Sequence, residues 1–369
     1  MLYAVSREIF RESLGGRRIS RTVLRNVLYL ASVGLAVHLI LPQIPGLERS
    51  AELVAKAAPL LVFAAFVAEV TSEVCYAELL GRSVAAASRM GTTIRSRSRS
   101  GLGPWFTLRL TVCGYGAAHI LPGGGAAAAT VTYGALRARG VDRKAVGLAV
   151  AAVSGLVYGA LVVLFSGSLL YMFILGDLTP AQKALTLVAA VLVVAGTFAG
   201  YVAYRKPRVA RRILGDIVHR TVRVVRRQYG RREADELIDR LADRLGEELR
   251  SLRRQVRSRP LEVLGWCCLA FGYWVFDALC LVLIFLALGV PAGVGELLVA
   301  YGIATAAGAL PLTPGGIGVF EATMLATLAV FGVGSEAAIP VLGYRLFNFW
   351  LPIPLSALLY PTLRISKNR

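Results

Sequence analysis

Residues 310–333 read LPLTPGGIGVFEATMLATLAVFGV. An apolar arm runs into Thr313-Pro314-Gly315-Gly316, and a second arm follows Gly318. Proline and paired glycines end a helix, so the reading is two short helices broken inside one apolar segment. Residues 121–125, LPGGG, make a similar break. Pro122-Gly123-Gly124 and Pro314-Gly315-Gly316 align at an offset of 192, as do Leu136 with Leu328, Gly140-Val141 with Gly332-Val333, and Ala145 with Ala337. Each copy has an apolar arm, the break, a helical arm, a Gly-Val turn and then a long span. The two broken segments run over about 104–138 and 295–332.

Six unbroken apolar segments surround them, at about 22–41, 54–80, 145–173, 181–203, 261–289 and 337–362. Runs of that length read as membrane-spanning helices. The predicted fold is an all-α polytopic membrane protein of about six transmembrane helices, with two Pro-Gly-Gly-broken hairpins as an internal repeat. The 369 residues carry 41 Lys and Arg against 22 Asp and Glu, a net charge of +19, with mean hydropathy +0.63. In a soluble chain such a charge would suggest nucleic acid. Here 36 of the 41 basic residues fall between the N-terminus and Arg25 inclusive, in 82–99, 137–144 and 205–259, or at the C-terminus. With alternating spans these all lie on one side, so the charge is a topology signal that puts both termini in the cytoplasm of a plasma (inner) membrane protein. No nucleic-acid partner is expected. A cleavable signal peptide is disfavoured, since the first run is long and no A-x-A site follows it.

The organisation expected is a cytoplasmic segment 1–21, a membrane half 22–204, cytoplasmic basic amphipathic helices 205–259, a second membrane half 260–364 and a tail 365–369. In 205–259, Leu237, Leu241, Leu245, Leu249, Leu252 and Val256 recur at helical spacing. Linker, lipid-docking and partner-docking roles are all open there, including a homo-oligomer contact. The first broken segment has both ends cytoplasmic and the second has both outside, so the copies are inverted. Inverted repeats with interrupted helices are a transporter architecture. The arm 125–136 would be only about 18 Å long as a helix, short of a hydrocarbon core of about 30 Å. Re-entrant hairpins are therefore favoured; short full spans would give the same loop charges.

Site candidates follow from what is costly in lipid. Charged groups inside spans need partners or water: Glu69 and Glu73 on one helical face, Arg109, Asp277, Glu321, and Arg345 with Asn348 a turn later. Pairs of Glu321 with Arg345, and of Arg109 with Glu69 or Glu73, are expected. His119, just before the first break, is a candidate proton carrier. Pro122, Gly123, Gly124, Pro314, Gly315 and Gly316 open the following helix N-termini, where unpaired N–H groups and the helix dipole suit an anion such as a lipid phosphate. The bland reading of all these is glycine-mediated packing and charge pairs that lock helices. The five cysteines lie in apolar runs with no CxxC pair, the three histidines are far apart, and no phosphate-binding loop motif occurs. No metal, cofactor or catalytic residue is expected.

The stretch 310–333, with YRLFNFWLPIP (344–354), resembles the transmembrane region of the lysylphosphatidylglycerol synthase family. The residues that carry the resemblance are Pro314, Gly315, Gly316, Gly318, Glu321, Tyr344 and Arg345. It implies translocation of a lipid between leaflets; in two-domain members, that lipid is aminoacylated phosphatidylglycerol. The synthase domain would lie beyond Arg369 and is not expected in this chain, so synthesis is not expected either. Lipid translocation, with membrane lipids bearing an anionic headgroup or lipid phosphate as partners, is thus the leading expectation. A polyprenyl-phosphate-linked glycan enzyme and a non-transporting scaffold are the alternatives.

Overall fold

The computed structural model describes residues 55–90, 102–120, 124–176, 178–205, 259–310 and 313–365. The expected span 22–41, nearly all of the basic 205–259 segment, both termini, and Pro122 and Gly123 of the first break lie outside the described residues. Among the described residues all regular structure is helical: α1 Pro59–Met90, α2 Pro104–Ile120, α3 Gly125–Ala138, α4 Arg143–Leu175, α5 Pro180–Arg205, α6 Pro260–Ala287, α7 Val294–Gly308, α8 Val319–Val330, α9 Ala338–Arg345 and α10 Pro352–Ile365. This is an all-α polytopic membrane protein. Five helical segments among these residues are long and apolar enough to cross a membrane.

The helix boundaries follow local chemistry. Proline is the first residue of α1, α2, α5, α6 and α10, where its missing N–H costs nothing. Asp142 caps α4, its carboxylate accepting from the Lys144 N–H at 2.9 Å. The two copies of the repeat end alike. Gly140 (φ 81°) and Gly332 (φ 84°) take the left-handed conformation. The following valine then donates its N–H five residues back, Val141 to the Leu136 carbonyl at 3.2 Å and Val333 to Leu328 at 3.0 Å. This is the Schellman stop. Leu136 and Leu328, aligned in sequence, are both fully buried. The same stop also closes α6 at Gly289-Val290, so it supports the repeat without being unique to it.

Two compact units are present. One takes in the described residues up to Lys183 and from Cys268 onward. The other, Ala184–Cys267, contains most of α5 and the start of α6. Everything below concerns the first unit. There α1 packs on α2 and α4, α2 on α3 and α10, and α7 on α4 and α8. Glycine allows the close approaches: a Cβ on Gly116 of α2 would overlap the Ser356 side chain of α10, and one on Gly302 of α7 would overlap the Phe165 ring of α4. The polarity of α1 is turned inside out relative to a soluble helix. Leu60, Phe63, Val67, Val70 and Val74 form an exposed stripe at three- and four-residue spacing, whereas Glu69 and Glu73 are buried. An outward apolar stripe with inward acids suits lipid outside and a polar interior.

Both broken segments are helical hairpins of short arms. At about 1.5 Å per residue, the 17 residues of α2 and 14 of α3 reach roughly 26 and 21 Å, and the 15 of α7 and 12 of α8 roughly 22 and 18 Å. The last span, expected over 337–362, is present as one apolar helical segment, Ser335–Leu363, with a local irregularity inside it. A π-helical turn, Leu346–Trp350, separates α9 from α10, and the Leu351 N–H reaches the Leu346 carbonyl at 2.9 Å. Such insertions widen a helix locally and re-aim side chains, and they recur at functional sites.

Candidate functional site

The second break packs against the end of α2. Gly315 sits at φ 59° and Gly316 at φ 71°, left-handed values that glycine adopts without strain. A Cβ on Gly315 would stand 3.0 Å from the His119 backbone, at the end of α2, and 2.6 Å from the Phe349 ring. The turn of the second hairpin therefore rests on the last residues before the first break. The His119 ring fills the joint, 4.3 Å from both the Tyr115 and Phe349 ring centres. Its Nδ1 lies 2.8 Å from the Tyr115 carbonyl. A carbonyl only accepts, so Nδ1 carries hydrogen.

Next to the joint, Glu321 and Arg345 form the ion pair expected from sequence, Oε1 to Nε at 2.5 Å, with both residues 4% exposed. The other Glu321 oxygen accepts from the Gly318 N–H at 2.7 Å, closing a capping box on α8. The Arg345 guanidinium also lies over Phe349 (4.2 Å) and Phe320 (4.8 Å). This corrects one expectation. The sequence reserves the N-terminus of α8 for a phosphate, but the anion that occupies it is the chain's own Glu321. The corresponding start of α3, at Gly124 (φ 45°), has no side-chain cap.

A second cluster centres on Asp277 of α6, which is 3% exposed. Tyr301 of α7 donates to its Oδ2. Tyr344 of α9 donates to it at 2.9 and 3.1 Å, and the Asn348 amide at 2.8 Å. The same Asn348 nitrogen lies 3.0 Å from the Tyr115 hydroxyl and 3.3 Å from Glu69 Oε1. One amide thus faces acceptors on α1, α2 and α6, and the π-turn is what aims it there. Glu69 and Glu73 are each left with one buried oxygen, Oε2, that has no hydrogen-bond partner.

Between the clusters lies a cavity of about 500 Å³. Glu73, Asp277, Arg345 and Asn348 line it, together with His119, Tyr344 and the turn residues Gly124, Gly315 and Gly316. Glu69 and Glu321 stand behind the wall, holding its polar groups. Arg109 is placed elsewhere. Its Nε donates to the Trp105 carbonyl one turn back at 3.1 Å, and it pairs with neither Glu69 nor Glu73. The reason is register: Arg109 lies well over two turns before His119, at the opposite end of α2 from the joint. Pro122 and Gly123 lie outside the described residues. Pro314 opens the tight turn Pro314–Gly316.

Sequence reasoning missed Tyr301 and Tyr115. A signal existed for Tyr115, one helical turn before His119. Tyr301 had none, since its partner is 24 residues away on another helix. No group of three His, Cys, Asp or Glu side chains among the described residues is arranged to hold a metal ion.

Comparison with known proteins agrees with this architecture. The family model described as "Lysylphosphatidylglycerol synthase TM region" matches residues 29–356. A UPF0104 membrane protein of Methanothermobacter thermautotrophicus is 34% identical over 86 residues, 23% of this chain. The match spans about a quarter (26%) of that relative's length. The chain belongs to the lysylphosphatidylglycerol synthase transmembrane-region family.

Proposed function

We propose, on the premise of that membership, that this protein moves a lipid between membrane leaflets, its headgroup passing through the cavity where the two broken hairpins meet. The observation that carries the reading is the joint itself: the turn of one short-armed hairpin rests on the end of α2 in the other, beside a cavity lined by buried charged groups. Irregular backbone at membrane depth is tolerated where it lines a polar cavity, and interrupted helices at such a place mark transport sites. Buried ionisable groups in a spanning segment point the same way. The cargo in this reading is a phospholipid or another lipid phosphate. Its phosphate would meet the uncapped start of α3, and its acyl chains would stay along the apolar outer faces of the helices. The hairpins would be re-entrant and both termini cytoplasmic. The chain would bind and release its cargo without making or breaking a covalent bond.

The test is reconstitution of the purified protein into vesicles with fluorescent phosphatidylglycerol, phosphatidylethanolamine and a polyprenyl phosphate, each in turn. A membrane-impermeant quencher added outside reports transbilayer movement. Movement well above protein-free vesicles, lost in Glu321→Gln and Arg345→Gln forms that remain folded, is the expected result. Movement equal to protein-free vesicles for every lipid would overturn the proposal.

A further inference from the structure

The cavity has an excess of acid that its own residues do not offset. Glu73 and Asp277 are buried in its wall and Glu69 and Glu321 just behind it, and Arg345 is the one Lys or Arg side chain in its described lining. Arg345 is taken by Glu321. Asp277 is well supplied with donors from Tyr301, Tyr344 and Asn348. Glu69 and Glu73 are not: their Oε2 atoms are buried with no hydrogen-bond partner. The two differ in access, since Glu73 lines the cavity and Glu69 does not. A buried acceptor without a donor, and a buried carboxylate without a counter-charge, are both unfavourable. A single proton relieves both. It removes the charge and turns the orphan oxygen into a hydroxyl that donates to water in the cavity.

The groups that face Glu73 leave it without another neutralising partner. On its own helix these are Glu69 and Tyr76. From α2 come Tyr115 and His119, and from α6 Tyr273 and Asp277. Tyr158 of α4, Tyr301 of α7, and Tyr344 and Arg345 of α9 complete the ring around the cavity or the Asp277 cluster beside it. The only fixed cation among them is already paired. No metal-holding arrangement of side chains stands in for the proton among the described residues.

We propose that Glu73 is a proton-binding residue of this cavity, and that lipid movement is coupled to the proton it carries. The proposal rests on the lipid-translocation reading above. An O–H bond forms at Glu73 Oε2 as one breaks in a protonated water on one side of the membrane. The reverse transfer to water on the other side returns the carboxylate, and no electron is exchanged with any partner.

Two measurements on the full-length purified protein test this separately from transport itself. The first is infrared difference spectroscopy between low and high pH in detergent, with no added lipid cargo. The wild type is expected to show a protonated-carboxyl C=O band that is missing from Glu73→Gln and returns, shifted, in Glu73→Asp. Unaltered gel-filtration and thermal-unfolding profiles certify that the variants are folded. A band equally present in Glu73→Gln overturns the assignment whether or not lipid moves.

The second measurement applies a gradient of one pH unit to vesicles holding the wild type and fluorescent phosphatidylethanolamine or phosphatidylglycerol, with the membrane potential clamped. One proton per lipid shifts the leaflet ratio at equilibrium by about tenfold. A ratio that ignores the gradient while lipid still moves overturns the coupling and leaves the translocation reading intact. A gradient-insensitive ratio combined with inhibition of proton release by an amine headgroup would assign Glu73 to the cargo's ammonium, and would likewise overturn the coupling. Absence of movement for every lipid overturns the translocation reading and the coupling together, and the infrared band then decides Glu73 alone.

Discussion

The buried pair of Glu321 and Arg345 makes a quantitative forecast possible. Both residues are 4% exposed, and the Oε1–Nε distance is 2.5 Å. Removing one partner of such a pair leaves the other charge uncompensated, at a cost of about 3–5 kcal/mol. The two single substitutions are not equivalent here. In Glu321→Gln the amide oxygen still accepts from the Gly318 N–H, but the guanidinium keeps only its aromatic neighbours and a 3.5 Å approach to the Gly315 carbonyl. In Arg345→Gln the surviving carboxylate still sits on the N-terminus of α8 and caps Gly318. That placement offsets about 0.3–1 kcal/mol, up to ~2 kcal/mol where partly buried. Arg345→Gln also gives up the cation–π attraction to Phe320 and Phe349, which narrows the difference. Glu321→Gln remains the more damaging, by about 1 kcal/mol. The double variant removes both charges and should recover a coupling energy of about 2–3 kcal/mol. Equilibrium unfolding of the four proteins in mixed micelles, followed by tryptophan fluorescence and circular dichroism, measures the cycle. Additive losses, with coupling below about 0.5 kcal/mol, would refute the reasoning, as would Arg345→Gln proving worse than Glu321→Gln.

Further outcomes follow from the same geometry. Tyr301→Phe and Tyr344→Phe should each cost about 1.5–3 kcal/mol, the range for a hydrogen bond to a charged group, and the pair should be non-additive because both hydroxyls serve Asp277. Gly315→Ala places a Cβ at φ 59°, 2.6 Å from the Phe349 ring and 3.0 Å from backbone, so a loss of about 2–4 kcal/mol and of lipid movement is expected in unfolding and quenching assays. Gly159→Ala is the matched control: it lies inside α4 with nothing within 4 Å of the new Cβ, and should stabilise by about 0.5–1 kcal/mol. Arg109→Gln should alter stability by no more than about 0.5 kcal/mol and leave lipid movement unchanged; loss of movement would return Arg109 to the site.

Much of the fold was legible because the bilayer imposes strong rules on sequence. Long apolar runs marked the helices of the described residues, with boundaries set by Pro59, Pro104, Pro180 and Pro260. The Pro-Gly-Gly breaks located both hairpins, and the Gly-Val turns located their common stop. α1 extends about ten residues beyond the apolar run, to Met90, because Arg82 and Arg89 are good helix formers and a helix need not end where hydropathy does. The Glu321–Arg345 pair was also readable, since two opposite charges in apolar spans have few other places to go. Arg109 shows where that logic fails. An arginine near the end of a short helix satisfies itself on its own backbone, and pairing rules alone do not say which end of the helix reaches the interior.

By itself, then, the sequence determined that the chain is a helical membrane protein, where two of its spans are broken, and which buried charges need an answer. These are local quantities: hydropathy, helix-stopping residues and the cost of charge in lipid each depend on a few neighbours in the chain. Which charges answer one another was decided only by tertiary structure. The Asp277 cluster joins residues from α6, α7, α9 and the π-turn, and its Asn348 amide reaches on to α1 and α2. The packing of the second break on the end of α2 likewise depends on a close approach of Gly315 to His119, which lie 196 positions apart. Glu73 is a candidate proton site for the same reason: whether a buried carboxylate finds a donor depends on how the helices around it pack, and no spacing along one helix records that.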